Sequence, residues 1–136
     1  MTDAVKATIH RTSVASAVIG AVLSPLPLVD EIVLVPVYAV MASRIARHHA
    51  LAAGALPWRA IARTAVNGLA ARALANVAVS YIPGVAAVAN AATAAILTEL
   101  VGSSIDEACA DPEHARPVSV RALIDRLRAG VAAARG

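Results

Sequence analysis

Aromatic side chains are almost absent from this 136-residue chain, which has no Phe, one Trp and two Tyr. Charged residues are also scarce, at 15% against roughly 25% in an average soluble domain. A nucleic-acid-binding surface needs clustered cations and stacking rings, so we expect no nucleic-acid partner. The single cysteine, Cys109, excludes a disulfide-stapled chain.

Apolar residues, by contrast, make up 59% of the chain, and the mean hydropathy is +0.70. This composition excludes intrinsic disorder, because it has too much apolar surface and too little charge. One domain is expected at this length. No segment shows the alternating pattern of a strand, and no long repeat is present. The sequence therefore predicts an all-α fold, an Ala-rich helical bundle.

Helix-start and helix-stop signals divide the chain into three parts. These are a polar lead at 1–12, a helical hairpin domain at 13–110, and a loop with an amphipathic helix at 111–136. Helices are predicted over 13–24, 30–49, 58–81, 85–102 and 119–134. Ser13 is the expected N-cap of the first helix and Gly102 the expected stop of the fourth. Ser104 and Glu107 fit a capping box for a short turn after it.

Prolines interrupt both predicted hairpins. Pro25 and Pro27 separate the first two helices, and Pro83 with Gly84 separates the third from the fourth. Each Pro removes a backbone donor and pushes the preceding residue out of the helical region. These four residues are therefore predicted to be helix hinges. Pro36 falls inside the second helix and predicts a kink or a later start of that helix.

The long apolar stretch around the first hinge does not predict a straight membrane span. Asp30 and Glu31 lie in its middle, and a charge at the bilayer centre costs about 2.5–3.5 kcal/mol. Cations flank the open ends of the hairpin, including Arg11 on one side and Arg44 on the other. This pattern favours a re-entrant or shallow wedge, or a tightly tilted hairpin, whose open ends face the cytoplasm.

A small-residue face in the fourth helix predicts self-association. Ala87, Ala91 and Ala95 are spaced by four, which allows two helix backbones to approach closely. The same face would serve packing in water, so two interpretations stay open. One is a membrane-associated homo-oligomer at the cytoplasmic membrane, which the shortage of polar surface favours. The other is a soluble, cytoplasmic, homo-oligomeric adaptor or scaffold.

Isolated polar residues in apolar segments are the candidate functional side chains. Arg72 and Asn76 are predicted to form a buried polar network with Glu99 and the acidic pair Asp30 and Glu31. The acidic pair can alternatively cap the second helix. Four arginines are predicted to contact lipid headgroups: Arg44, Arg47, Arg121 and Arg128.

The residue pattern contains no constellation typical of an enzyme. His48 and His49 are adjacent, so they point about 100° apart on a helix and cannot share one ion. The acidic neighbours of Cys109 are expected to raise the pKa of its thiol and suppress thiolate formation. No phosphate-binding loop of the form G-x-x-x-x-G-K-[ST] occurs. We expect no catalytic residue, no cofactor and no metal.

Two short sequence blocks resemble a known domain family. The first is SPLPLVD at 24–30, followed by LVP at 34–36; the second is YIPG at 81–84, followed by Asn90 and Thr93. Within residues 13–110 this pattern is similar to an uncharacterised bacterial domain of YcjF-like inner-membrane proteins, which is also appended to some Era-like small GTPases. The resemblance implies a helical, membrane-associated domain of unassigned activity, with another membrane protein or a GTPase as a partner.

Overall fold

A computed structural model of the chain describes residues 1–22, 29–79 and 86–133. Its helices are α1 (Asp3–Val22), α2 (Val29–His48), α3 (Trp58–Val79), α4 (Ala86–Ala110) and α5 (Val120–Ala133). A 3-10 turn, Ala53–Ala55, lies between α2 and α3. The described residues contain no β-strand, which confirms the predicted all-α fold.

Helix α1 begins ten residues earlier than predicted and includes most of the segment 1–12 that was predicted to be a polar lead. Thr2 caps it, since its Oγ1 accepts a hydrogen bond from the Val5 N–H at 3.4 Å. The expected N-cap at Ser13 is therefore wrong. Ser13 lies inside α1 and is buried, and its Oγ donates a hydrogen bond to the backbone carbonyl of Ala95 in α4 at 3.0 Å.

Helix α2 continues through Pro36 and begins at Val29, so the alternative of a later helix start is wrong. Pro36 lies on the exposed side of the helix, where the loss of one backbone donor leaves the core unaffected. The opposite side of α2 is held by packing, because Leu34, Met41 and Ile45 are each completely buried. Tertiary burial therefore outweighs the local tendency of proline to end a helix.

Helix α4 continues past Gly102, so the predicted stop there is wrong. A Cβ at Gly102 would lie 2.9 Å from both Cγ atoms of Ile9, so the absence of a side chain lets α1 approach α4. The capping box at Ser104 and Glu107 is wrong for the same reason. Both residues lie inside α4, and the Ser104 Oγ donates to the Leu100 carbonyl of its own helix.

The bundle is organised around α4. Helix α1 packs along it in the antiparallel direction, since Ile9 faces Gly102 while Gly20 lies beside Asn90. Helix α2 packs against α1 and α4, and α5 packs against α3 and α4. One core cluster joins α1, α2 and α4 and includes Val5, Ile9, Tyr38, Met41, Ile45, Val101 and Ile105. A second cluster joins α3, α4 and α5 through Ala71, Leu97, Leu123 and Leu127.

Helix α5 has the amphipathic pattern expected from the sequence. Leu123 and Leu127 are buried against α3 and α4, whereas Arg121 and Arg128 are exposed. Ser119 caps the helix, because its Oγ accepts a hydrogen bond from the backbone N–H three residues later at 3.2 Å. The alternation of apolar and charged residues at the helical period is sufficient here to predict which face is buried.

Two buried serines of α1 provide a matched pair of stability predictions. The Ser13 Oγ has its hydrogen bond to the Ala95 carbonyl, whereas the Ser16 Oγ has no partner among the described residues. We expect Ser13→Ala to lower the free energy of unfolding by about 1 kcal/mol, since a hydrogen bond is lost. We expect Ser16→Ala to leave this free energy unchanged or to raise it by about 1 kcal/mol, since an unsatisfied buried hydroxyl is removed.

Urea unfolding of the two variants, monitored by circular dichroism, checks this pair. The two substitutions remove the same atom from the same helix, so their differing effects report the hydrogen bond alone. Equal destabilisation by both variants would contradict the assignment of hydrogen bonds at the α1–α4 contact.

Candidate functional site

Several sequence-predicted site residues lie outside the part of the chain that the structure describes. Among these are the four predicted hinge residues, Pro25, Pro27, Pro83 and Gly84. The side chains of three members of the predicted polar network are also outside it, namely Asp30, Glu31 and Asn76. The backbone of this second group belongs to α2 and α3.

Arg72 is completely buried between three helices. Its Nη2 lies 2.9 Å from the position that a Cβ on Gly20 would occupy. The backbone carbonyl oxygen of Asn90 lies 3.1 Å from that same position. The missing side chain at Gly20 therefore creates the space in which the guanidinium group meets α1 and α4.

Glu99 does not share this environment, so its predicted place in the buried network is wrong. Its side chain is 54% exposed, and its Oε1 lies 3.6 Å from the His10 Nδ1 at the bundle surface. The neighbouring residue Thr98 is completely buried and contacts the Tyr38 hydroxyl at 3.4 Å. One step along a helix rotates a side chain by about 100°, which moves Glu99 from the core to the surface.

The small residues of α4 are used for packing inside the chain. Ala94 and Thr98 are completely buried, and Gly102 lies against Ile9 of α1. Of the predicted self-association face, Ala91 and Ala95 are half-buried, and the side chain of Ala87 lies outside the described residues. Close packing of α4 is thus directed to α1, and self-association through this face stays a prediction.

In the second half of α1 the valines are exposed and small or polar residues are buried, whereas Val5 and Ile9 in the first half belong to the core. The buried residues of this second half are Thr12, Ser13, Ser16 and Gly20. The exposed residues are valines at a spacing of four, Val14, Val18 and Val22, which are 52%, 58% and 69% exposed. This arrangement is the reverse of the one that a helix on a water-exposed surface adopts.

Helix α2, which packs against α1, also has exposed apolar residues. Ile32 is 72% exposed, and Val33, Val35 and Val40 are exposed as well. We define the hairpin face as these α1 and α2 residues together: Val14, Val18, Val22, Ile32, Val33, Val35 and Val40. Contiguous exposed apolar surfaces mark protein or membrane interaction sites, whereas single exposed apolar residues need no explanation.

A groove lies between α1 and α2 beside the hairpin face. Its volume is about 330 Å³, and its lining is mostly apolar, with Ala15, Pro36, Val37 and Val40 beside the polar Thr12. Arg11 of α1 and Arg44 of α2 complete the lining, and both arginines are exposed. We name this feature the α1–α2 groove.

The four arginines predicted to contact headgroups are all exposed, but they belong to different parts of the bundle. Arg44 and Arg47 lie on α2, whereas Arg121 and Arg128 lie on α5, which packs against α3 and α4. Only Arg44 lines the α1–α2 groove, together with Arg11. Arg11 was predicted, like Arg44, as a cation at the open end of the hairpin, but it was not among the predicted headgroup contacts.

Polar contacts link the C-terminal end of α2 to α1 and α4. The His49 Nε2 lies 2.6 Å from the Asp106 Oδ1, and the His48 Nε2 lies 3.4 Å from the Thr8 Oγ1. The two histidines thus have different partners on different helices. Over residues 1–22, 29–79 and 86–133 no group of three or more His, Cys, Asp or Glu side chains is placed to hold a metal ion.

Cys109 is buried, and its burial raises the pKa of the thiol above the ordinary value of 9.0. The nearby Asp106 carboxylate raises it further, so the sequence-based direction is right while its main cause is burial. The protonated thiol is thus the stable form in the folded protein. Its contribution to stability is fully present below pH 9 and is lost as the pH rises through the raised pKa.

We expect folded Cys109 to react with iodoacetamide at pH 8 at least about tenfold more slowly than the same cysteine in urea, because the thiolate is the reactive form. Mass spectrometry of the alkylated protein over time measures both rates. Equal rates in the folded and unfolded protein would contradict the burial and the raised pKa of this thiol.

None of the described helices is long and apolar enough to cross a membrane. Comparison with known proteins finds no matching family model, no similar curated protein and no similar solved structure. The resemblance to the YcjF-like domain family accordingly stays a prediction. The hairpin face and the α1–α2 groove are therefore the features of the described residues that bear on function.

Proposed function

We propose that this chain is a non-enzymatic, membrane-associated helical domain that binds the surface of an anionic bilayer through the hairpin face. The observation that carries the proposal is the reversed polarity of the second half of α1, in which Ser13, Ser16 and Gly20 are buried while Val14 and Val18 are exposed. An aqueous surface does not favour this arrangement, whereas contact with acyl chains does.

The proposed binding mode is shallow. Helices α1 and α2 lie in the plane of the interface, where an apolar helix face is buried about 5–10 Å into the boundary between headgroups and acyl chains. Asp30 and Glu31 follow the hinge in sequence, at the end of the hairpin face marked by Ile32. A shallow orientation suits two acidic residues in this stretch of the sequence, whereas a deep insertion would place their charges among the acyl chains.

Charge supports the same orientation. Arg11 and Arg44 stand at the opposite end of the hairpin face from the acidic pair, and Arg47 is exposed one helical turn beyond Arg44. A cation near an anionic membrane surface contributes about 1 kcal/mol to binding. Apolar burial and these cations therefore act together in an anionic bilayer.

Co-sedimentation with vesicles tests this proposal. We expect the chain to sediment with phosphatidylglycerol-containing vesicles, to remain bound in high salt and to be released by detergent, because the apolar contact survives screening of charge. Recovery of the protein in the supernatant at all lipid concentrations would overturn the proposal. A dimer or larger species by light scattering, together with that result, would favour the homo-oligomeric adaptor instead.

A further inference from the structure

The α1–α2 groove brings together two cations that are far apart in the sequence. Arg11 comes from the middle of α1 and Arg44 from the second half of α2, and both line the same space of about 330 Å³. Within the described segments, neither guanidinium group forms an ion pair with a carboxylate. Two positive charges of this kind are complementary to one anionic group.

Arg47, on the same helix as Arg44, differs from Arg11 and Arg44 in its contacts. Its Nε donates a hydrogen bond to the Ser43 carbonyl of its own helix at 3.3 Å. It does not line the groove, whereas Arg44 does. Arg47 is thus engaged with its own helix, whereas Arg11 and Arg44 both line an open, largely apolar depression.

Apart from the two arginines, the lining of the groove is mostly apolar. Ala15, Pro36, Val37 and Val40 form most of it, and no Asp or Glu side chain of the described residues lines it. Val40 also belongs to the hairpin face, so the groove opens directly onto the surface proposed to contact acyl chains. Its volume lies at the lower end of the range for small-ligand sites.

We infer that the α1–α2 groove binds one anionic phospholipid of the bilayer, with the phosphate on Arg11 and Arg44 and the start of an acyl chain along Val37 and Val40. Guanidinium groups suit this role because their planar donors match phosphate oxygens. This inference rests on the proposed function, and it adds selectivity for one lipid class to a surface that otherwise binds by apolar contact.

Vesicle binding by charge-neutral variants tests the site. We expect the double substitution Arg11→Gln and Arg44→Gln to weaken binding to phosphatidylglycerol vesicles by about 10–30-fold, since two headgroup contacts are lost. The matched control is Arg121→Gln with Arg128→Gln, which removes the same charge from α5 and should weaken binding by less than about threefold. Equal losses in the two double variants would show a net-charge effect only and would overturn the site.

A second measurement distinguishes a lipid from free phosphate. Titration of the protein with a short-chain phosphatidylglycerol below its micelle concentration, followed by amide NMR shifts, should perturb residues of the groove. Inorganic phosphate at the same concentration should not, because it lacks an acyl chain. Equivalent shifts with inorganic phosphate would overturn the lipid assignment.

The outcomes for the two proposals are separable. Equal binding of the unsubstituted chain to phosphatidylglycerol and phosphatidylcholine vesicles would agree with membrane binding. The same result would overturn the anionic lipid site. Binding to neither kind of vesicle, without shifts from the short-chain lipid, would overturn both.

Discussion

Replacing Val18 with Asp is expected to weaken binding to phosphatidylglycerol vesicles by about 30–100-fold. Val18 lies in the middle of the valine row on α1 and is 58% exposed, so the substitution places a charge at the centre of the hairpin face. The change removes apolar contact with acyl chains and adds repulsion from anionic lipid, which together amount to about 2–3 kcal/mol. The aspartate is exposed to water in the unbound protein, so the fold is expected to be retained.

The matched control for this variant is Val66→Asp. Val66 lies on α3, outside the hairpin face, and its exposure of 62% is close to that of Val18. Both substitutions add the same charge and remove the same side chain. We expect Val66→Asp to change vesicle binding by less than about threefold. Circular dichroism of both variants checks their helix content, and an equal loss of binding in the two would contradict the assignment of the hairpin face.

Replacing Gly20 with Leu is expected to lower the free energy of unfolding by about 3 kcal/mol. A Cβ at this position would lie 2.9 Å from the Arg72 Nη2, 3.1 Å from the Asn90 carbonyl oxygen and 3.2 Å from the Ala94 Cβ. The carbonyl belongs to the backbone of α4, and Arg72 is completely buried, so neither can easily move away. Forcing extra methylenes into such a contact typically destabilises a protein by about 1–3 kcal/mol, occasionally by more.

The control for this prediction is Gly54→Leu. No atom lies within 4 Å of a Cβ built on Gly54, in the 3-10 turn between α2 and α3. We expect this variant to unfold within about 0.5 kcal/mol of the unsubstituted protein. Urea denaturation measures both. A Gly20 variant as stable as the Gly54 variant would show that α1 and α4 do not meet around Arg72 in the way described.

The fold class and the orientation of α5 could be predicted from the sequence, because they depend on periodicity alone. In α5 the buried residues Leu123 and Leu127 and the exposed residues Arg121 and Arg128 differ in kind, so a simple amphipathic pattern is sufficient. The absence of an alternating strand pattern likewise required no tertiary information.

The end of α4 and the place of Ser13 inside α1 were predicted wrongly, because tertiary contacts override the local signals there. Gly102 has the sequence character of a helix stop, and only the neighbouring Ile9 explains why α4 continues through it. Ser13 has the character of an N-cap, and only the Ala95 carbonyl explains its place inside α1. Each explanation requires a residue that is distant in sequence.

The candidate site was missed in part for a related reason. Which side of α1 is buried was not predicted from the sequence; in the structure Ser16 is buried and Val18 is exposed. The available signal was the spacing of four between Val14, Val18 and Val22, on the side of α1 opposite Ser16 and Gly20. Pairing Arg11 with Arg44 required the packing of α1 against α2, which no short-range pattern gives.

Contact between the hairpin face and acyl chains is tested most directly by a depth measurement. In a Cys109→Ala background, an environment-sensitive fluorophore is attached to a cysteine at position 18 and, in a second protein, at position 66. We predict a blue shift with phosphatidylglycerol vesicles, and quenching by a quencher attached to the lipid acyl chain, for the label at position 18 only. An unchanged spectrum at position 18, or equal quenching at both positions, would contradict membrane binding through the hairpin face.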